Sequence, residues 1–349
     1  MTALNLNLLL ANTPSTSGTY TFSVVRDQVI RQAMLDIGAL GEGENPTAQE
    51  ISDCAFKLNM MVKQWMGNTD FAPGLKIWTR KRAELFLSSS KYTYALGQTG
   101  DHWVDSTAGL AYPQLYGQTT LTANAAANAT VLNVALTAQF NILDFVGILI
   151  GSDIFWTSVA NIGVGTITIP APGLPSGALA NSLVWNYTNK AVRPIDIVAI
   201  KLRDIYANDT NLRIMSTERY ESLPNATAPS NIGDPTAILY ESQFKNQSPN
   251  GRLYLDVGGA QDVTKHIHAV YLAPVEDLNN PGDAVDYPQQ WYRPLVLGHG
   301  RDICGMFDCA WTQELEANYN DSIAIARQTD PAKSDVYFQV DGDDPYGGQ

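Results

Sequence analysis

The feature that most constrains this chain is a long segment that carries almost no charge. The sequence contains 22 Lys and Arg residues and 35 Asp and Glu residues, yet only Asp144 and Asp153 are charged between residues 106 and 189. Short alternating β patterns recur through this segment, separated by Gly, Pro, Asn and Ser, which is typical of a small sandwich or barrel. We therefore predict an inserted all-β module at residues 113–189.

Two helices are predicted ahead of this module. Apolar residues recur every three or four positions over residues 24–38, which indicates one buried helix face, and Gly38 suits the residue just after a helix end. A second helix is predicted over residues 47–66. Thr47 and Glu50 have the spacing of a capping box, in which each side chain accepts a hydrogen bond from the other residue's backbone N–H.

Strand patterns and two late helices complete the expected body of the protein. We predict an α+β fold in which a helical hairpin or bundle host, with additional β-strands, occupies residues 23–112 and 190–328. The inserted β module (a sandwich or barrel) occupies residues 113–189. Residues 1–22 are predicted to be an N-terminal extension, and residues 329–349 a flexible C-terminal docking arm.

Charge and cysteine content narrow the class of function. The net charge is −13, and a chain with so few cations is not expected to bind the phosphate backbone of DNA tightly. Three cysteines are too few for a disulfide scaffold, so a reducing compartment is expected. The sequence has no run of 18 apolar residues and no basic residue before Arg26, so we expect neither a membrane span nor a signal peptide.

Searches for catalytic and cofactor motifs give no match. No Gly-Lys dipeptide occurs, which excludes a Walker A loop, and no serine-hydrolase elbow is found. His299, Cys304 and Cys309 are five residues apart, so on one helix they would point in three directions and could not share a metal ion. We expect no catalytic residues, no cofactor and no metal.

Three other groups of residues are candidates for a site. His266 and His268 would share one face of a strand, but two ligands do not make a metal site. Acidic residues cluster at 276–286 and 341–344, where a glycosidase would need two carboxylates across a cleft. Tyr112, Tyr116 and Trp185 are candidates for a ligand-binding face on the inserted module.

Several ordered segments resemble the head-to-tail adaptor proteins of short-tailed phages, which are also called tail accessory or packaged-DNA stabilisation proteins. The early segment is GALGEGENPTAQE at residues 38–50, continuing to Leu58-Asn59 and Gln64-Trp65. The later segments are Arg193-Pro194, ERYESLP at 218–224, 233–235 with Tyr240, GRLYL at 251–255 and YPQQW at 287–291. The similar regions, residues 23–105 and 190–328, cover about two-thirds of the chain.

The resemblance implies a structural virion protein rather than an enzyme. Its copies would form a homo-oligomeric, dodecameric ring beneath the portal protein, in the neck between capsid and tail, after assembly in the host cytoplasm. The ring would extend the DNA channel, retain the packaged genome without binding it tightly, and present a platform for downstream nozzle or needle proteins. Adaptors of this family clasp the portal with a C-terminal arm, so we assign portal docking to the apolar residues of the tail: Val336, Tyr337, Phe338 and Val340.

Two other classes of function stay open from the sequence alone. One is a different virion component, such as a collar, tail or receptor-binding protein. The other is a glycan hydrolase that uses paired carboxylates. A ring with a central channel would favour the adaptor, a fibre or trimer the second class, and a glycan-cleaving monomer the third.

Overall fold

The computed structural model describes residues 22–66, 79–111, 113–224, 226–242, 249–259 and 261–329. The chain divides into two compact units. The first unit combines residues 1–77 with residues 275–349, so both ends of the chain contribute to it. The second unit is the intervening segment, residues 78–274.

The described residues form five α-helices. They are α1 (Arg26–Asp36), α2 (Ala48–Met66), α3 (Thr217–Glu221), α4 (Tyr292–Ile303) and α5 (Gln313–Thr329). Two short 3₁₀ segments, Gln289–Trp291 and Cys304–Met306, precede and follow α4. Among these residues, no helix combines the length and the apolar character that a bilayer span requires.

The ends of the first two helices form as predicted. The backbone N–H of Thr47 donates to Glu50 Oε2 at 2.7 Å, and the N–H of Glu50 donates to Thr47 Oγ1 at 3.3 Å, which confirms the capping box. Gly38 follows α1 with a φ of +73°, a backbone conformation that glycine adopts without strain. The N–H of Ala39 then donates to Met34 O at 2.9 Å, which ends the helix.

Helix α4 is the centre of the first unit and packs against α1, α2 and α5. Apolar residues of all four helices form one core, which also includes Tyr287 and Trp291 just ahead of α4. Gly298 of α4 lies against the ring of Trp65, because a Cβ at position 298 would lie only 2.6 Å from Trp65 Cζ2. The early and late helices therefore form a single packed helical unit.

Seventeen β-strands form within the described residues, and all of them belong to the second unit. Those before and inside the charge-poor segment are β1 (Thr79–Phe86), β2 (Thr93–Leu96), β3 (Trp103–Ser106), β4 (Gly117–Thr120), β5 (Val131–Asn133), β6 (Phe145–Ile150), β7 (Asp153–Ser158), β8 (Asn161–Gly163), β9 (Thr166–Thr168) and β10 (Leu183–Tyr187). Those at its end and beyond are β11 (Asn189–Lys190), β12 (Asp196–Arg203), β13 (Asp209–Asn211), β14 (Arg213–Ile214), β15 (Ala237–Glu241), β16 (Gly251–Leu255) and β17 (His266–Ala273).

The strands assemble into four sheets. The largest has the order β11-β3-β1-β17-β12-β13, and a second has the order β14-β15-β16-β2. The charge-poor segment forms the other two, with orders β4-β10-β6-β7 and β5-β9-β8. All pairings are antiparallel except that between β14 and β15.

The predicted fold class is wrong, because the protein is mostly β-sheet rather than a helical hairpin or bundle host. The helical unit uses only the two ends of the body. The strands before Gly117 and after Tyr187 form two of the four sheets, so much of the body assigned to residues 23–112 and 190–328 is β structure. The main pairing joins β1 to β17, in register from Thr79 with Ala273 to Phe86 with His266. These two strands are far apart in sequence, so the periodicity within either segment does not predict that they pair.

The segment predicted as an inserted module begins and ends at neighbouring positions. Gly117 of β4 pairs with Asn186 of β10, and Ser106 pairs with Asn189. One apolar core lies within the segment. A second core is shared, since Phe86 of β1 packs with Trp185 of β10. The structure thus places the segment against the six-stranded sheet, while its proposed independence as a domain stays a prediction.

Candidate functional site

The residues assigned to portal docking, Val336, Tyr337, Phe338 and Val340, lie outside the described residues. The same is true of Tyr112, of the acidic residues at 341–344 and of most of the N-terminal extension. Portal docking by the tail therefore stays a prediction.

The His299, Cys304 and Cys309 set is not arranged around a common point. His299 is fully buried in the helical core, and neither of its ring nitrogens has a hydrogen-bond partner in the described structure. Burial lowers the pKa of His299 to about 3, so its ring is neutral. The thiols of Cys304 and Cys309 lie near different backbone carbonyls, those of Arg301 and Phe307. Among the described residues, no three His, Cys, Asp or Glu side chains are placed to hold a metal ion.

His266 and His268 do share one face of β17, and the structure brings them to a buried carboxylate. Glu84 of β1 is only 3% exposed; its Oε1 lies 2.6 Å from His268 Nδ1, and its Oε2 lies 3.5 Å from His266 Nε2. Burial lowers the pKa of His266, although the nearby Glu84 carboxylate opposes this effect. The contact between Glu84 and His268 therefore joins β1 to β17 within the sheet.

Arg203 extends this cluster to β12. Its guanidinium donates two hydrogen bonds to Asp209, from Nε at 2.7 Å and from Nη2 at 3.0 Å, and its Nη1 lies 3.4 Å from Glu84 Oε1. The hydrogen bonds from Arg203 lower the pKa of Asp209 to about 2. On the other side, the hydroxyl of Tyr116 lies 3.0 Å from His266 Nε2. The cluster thus joins four strands of the large sheet, β1, β17, β12 and β13, to the charge-poor segment.

Two aromatic candidates on the charge-poor segment, Trp185 and Tyr116, pack into a shared core. Trp185 is fully buried, and Tyr116 packs edge-on to Phe86 with ring centroids 5.2 Å apart. Trp156 also packs against Phe86, at 5.1 Å, and stacks on His102 at 3.9 Å. These rings hold the segment against the six-stranded sheet, so Trp185, a candidate for a ligand-binding face, is instead a core residue.

The acidic residues at 276–286 take part in local structure. Asp283 accepts hydrogen bonds from the backbone N–H groups of Asn279 at 2.8 Å and Asn280 at 2.6 Å, and these bonds lower its pKa. Asp277 forms an ion pair with Lys63 of α2. These two carboxylates are thus occupied by a turn and by a surface ion pair.

Segments that carry the adaptor resemblance come together in the helical unit. Trp65 and Trp291 belong to the same core, although they are far apart in sequence. Asn59 exchanges two hydrogen bonds with the backbone of Leu278: its amide nitrogen donates to the carbonyl at 3.2 Å, and its oxygen accepts from the N–H at 3.0 Å. The motifs that contain Trp65 and Trp291 therefore share one core, and Asn59 binds the chain ahead of the YPQQW segment.

The resemblance segments of the β unit also contact one another. The hydroxyl of Tyr240 donates to Pro194 O at 2.6 Å, and that of Tyr220 donates to Leu255 O at 3.0 Å. Gly251 lies under the Tyr240 ring, since a Cβ there would lie 2.3 Å from the hydroxyl oxygen. The sequence order of these motifs gave no indication of these contacts.

Two surface features of the helical unit stand out beside this core. Phe56 and Met60, one turn apart on α2, expose 68% and 58% of their surface. A groove of about 630 Å³ lies between α1 and the start of α4, and its lining combines apolar residues with polar ones, two arginines and one aspartate. Neither feature was evident from the sequence, because the apolar stripe that predicts α2 consists of the buried residues.

Comparisons with known proteins give little further information. The sequence matches no protein-family model and no curated protein. Among solved structures, one similarity is to VP17, a capsid protein of bacteriophage P23-77, with 9% sequence identity, 55% of this chain and 79% of that chain covered, and a TM-score of 0.11. The similarity is to a virion structural protein, but a TM-score this low carries no argument about the present chain.

Proposed function

We propose that this chain is a structural virion protein, the head-to-tail adaptor of a short-tailed phage. Its copies form a ring beneath the portal that extends the DNA channel, helps retain the packaged genome and offers a platform to nozzle or needle proteins. The observation that carries the proposal is the convergence of the resemblance segments. Residues around Trp65, from the early part of the chain, and Trp291, from the late part, pack into one core.

This convergence matters because the similar segments were selected on sequence alone. Unrelated short similarities would fall at unrelated places in a fold. Here the hydroxyl of Tyr240 donates to Pro194 O and that of Tyr220 donates to Leu255 O, and each bond joins two of the segments. The motifs therefore serve as the contacts that hold each unit together, as expected of features that specify a common architecture.

The charge of the chain suits a DNA exit channel. A net charge of −13 per copy gives a ring a strongly negative field, and a negative wall repels phosphate. DNA could then pass during packaging and ejection without adhering. In this proposal the apolar island of the tail, Val336 to Val340, docks on the portal, and many arms acting together compensate for weak individual binding.

The test is a reconstitution with DNA-filled heads that carry the portal but lack this protein. Adding the purified chain should convert them to heads that retain their DNA, measured as resistance to added nuclease. A chain truncated after Gln328 should bind such heads weakly and protect poorly. Heads that remain nuclease-sensitive and bind none of the full-length chain would contradict the proposal.

A further inference from the structure

Helix α2 carries an apolar ridge on its exposed face. Phe56 and Met60 lie four residues apart and expose most of their side chains on the helix face opposite the buried Leu58 and Val62. Large apolar side chains spaced one turn apart on an exposed helix face commonly anchor a helix in a groove of its partner. Asp53, one turn before Phe56 and exposed, accepts hydrogen bonds from the amide of Gln49 at 3.0 and 3.1 Å and places a negative charge at the N-terminal end of this ridge.

The groove between α1 and α4 is a second surface of the helical unit. Its floor and walls include Val29, Val296 and Tyr292, and its rim includes the exposed Phe22. The rim is held in place, since Gln289 Nε2 donates to Phe22 O at 2.9 Å and the rings of Phe22 and Tyr292 lie edge to face at 6.0 Å. The groove of about 630 Å³ is therefore a shaped cleft with room for large side chains.

The charge of the groove lining indicates what kind of surface can occupy the groove. Its charged lining residues are Arg31, Arg293 and Asp36, two cations against one anion. The groove therefore has a net positive lining. The Phe56–Met60 ridge ends in the exposed Asp53, so its apolar side chains and its charge both complement the groove.

We infer that the ridge of one copy inserts into the groove of the next copy. A chain cannot fill its own groove in this way, because the opposite face of α2 is buried in its own core through Leu58 and Val62. The contact joins two different surfaces, so it is heterologous, and repetition generates a closed ring or an open filament. This inference rests on the proposed adaptor function, for which it supplies the subunit interface.

The experiment uses full-length protein and two complementary variants. The ridge variant is Phe56→Asp with Met60→Asp, and the groove variant is Gln32→Trp with Arg293→Glu. Val164→Asp is the matched control, because Val164 is an exposed apolar residue of the other unit. All substituted sites are exposed, so the circular dichroism spectrum and thermal melting of each variant should match those of the wild type. If the ridge variant differs from the wild type in either measurement, Phe56→Ser replaces it.

Native mass spectrometry and sedimentation velocity then give the assembly state. The wild type and the control should form rings, and each complementary variant alone should be monomeric. A mixture of the two should give a 1:1 heterodimer and no larger species, because it retains one intact ridge and one intact groove that can meet.

Three outcomes contradict the inference. Rings formed by either variant alone would show that the subunits meet elsewhere, while the proposed ring function would stand. A mixture that stays monomeric would show that ridge and groove do not bind each other. A wild-type chain that stays monomeric would overturn the interface and the ring together.

Discussion

Replacing Gly298 by alanine tests the packing at the centre of the helical unit. Gly298 lies in the middle of α4, where alanine is intrinsically favoured over glycine by roughly 1 kcal/mol. The surroundings reverse this preference. A Cβ at position 298 would lie 2.6 Å from Cζ2 and 2.9 Å from Cη2 of Trp65, and 3.2 Å from Cε2 of Tyr319.

The magnitude follows from these distances. Non-bonded carbon atoms do not approach as closely as 2.6 Å, so either the new methyl group or the Trp65 ring must move. The Trp65 ring is part of the helical core and has little room to move. Overpacking of this kind costs about 1–3 kcal/mol. After the gain in helix propensity is subtracted, Gly298→Ala should lower the free energy of unfolding by up to about 2 kcal/mol.

Two further variants separate the clash from other effects. Gly305 lies in the 3₁₀ segment Cys304–Met306, where an added Cβ would meet no atom within 4 Å, so Gly305→Ala should be neutral or stabilising. Trp65→Phe removes the ring atoms that the new methyl group would meet. In that background Gly298→Ala should cost at least about 1 kcal/mol less than in the wild type.

The assay is urea unfolding followed by circular dichroism at the helix band, with all the variants compared at one pH and one concentration. A Gly298→Ala variant as stable as Gly305→Ala would show that Trp65 does not occupy the space beside α4. An equal cost of the substitution in both backgrounds would likewise refute the assignment of that cost to the Trp65 ring.

Three other predictions concern titration, thiol reactivity and DNA. Burial lowers the pKa of His102 and His299 to about 3 and also lowers that of His266, so the unfolded chain takes up these protons first as the pH falls below about 6.5. The contribution of these neutral histidines to the free energy of unfolding is therefore fully present above pH 6.5 and is lost as the pH falls. His299→Leu should reduce the dependence of the free energy of unfolding on pH, measured near pH 5 in urea melts, by about 1.4 kcal/mol per pH unit. An unchanged dependence would mean that His299 is already protonated in the folded state. Cys54 is buried with a pKa raised to about 11, so a thiol reagent at pH 8 should modify the half-buried Cys304 and Cys309 in the native protein and reach Cys54 only after unfolding, as peptide mass mapping can show. Duplex DNA at low salt should show no appreciable binding in a gel-shift assay, and tight, salt-dependent binding would reveal a basic surface that the net charge hides.

Local patterns predicted the helices well. The capping box of Thr47 and Glu50 and the stop at Gly38 depend only on neighbouring residues, and both are present. The β character of the charge-poor segment was also predictable, because turn residues and alternation recur within it. In each case the determining interactions lie within a few residues of one another.

The larger β architecture was not predictable from the same signals. Strand β1 has the sequence TRKRAELF, which begins with three cations in four residues and has no clear alternation. It becomes a central strand because β17 and β3 pair with its two edges. The helices at the chain ends have the strongest local patterns, and these patterns do not indicate that the segment between them is mostly β-sheet.

The buried Glu84 cluster was missed for a related reason. His266 and His268 were recognised as sharing one face, but their partner carboxylate is on β1, more than 180 residues earlier. Only the register that sets Glu84 opposite His268 brings the groups together. The ridge at Phe56 was similarly hidden, because a helical pattern does not show whether other described residues cover the outer face of α2.

The central claim is that copies of this chain form a ring around a channel. Negative-stain imaging of the purified full-length protein, with native mass spectrometry of the same sample, tests it most directly. We expect closed rings of uniform copy number with a central opening wide enough for duplex DNA. A chain that remains monomeric at every concentration, or that forms trimers or fibres without a channel, would contradict it.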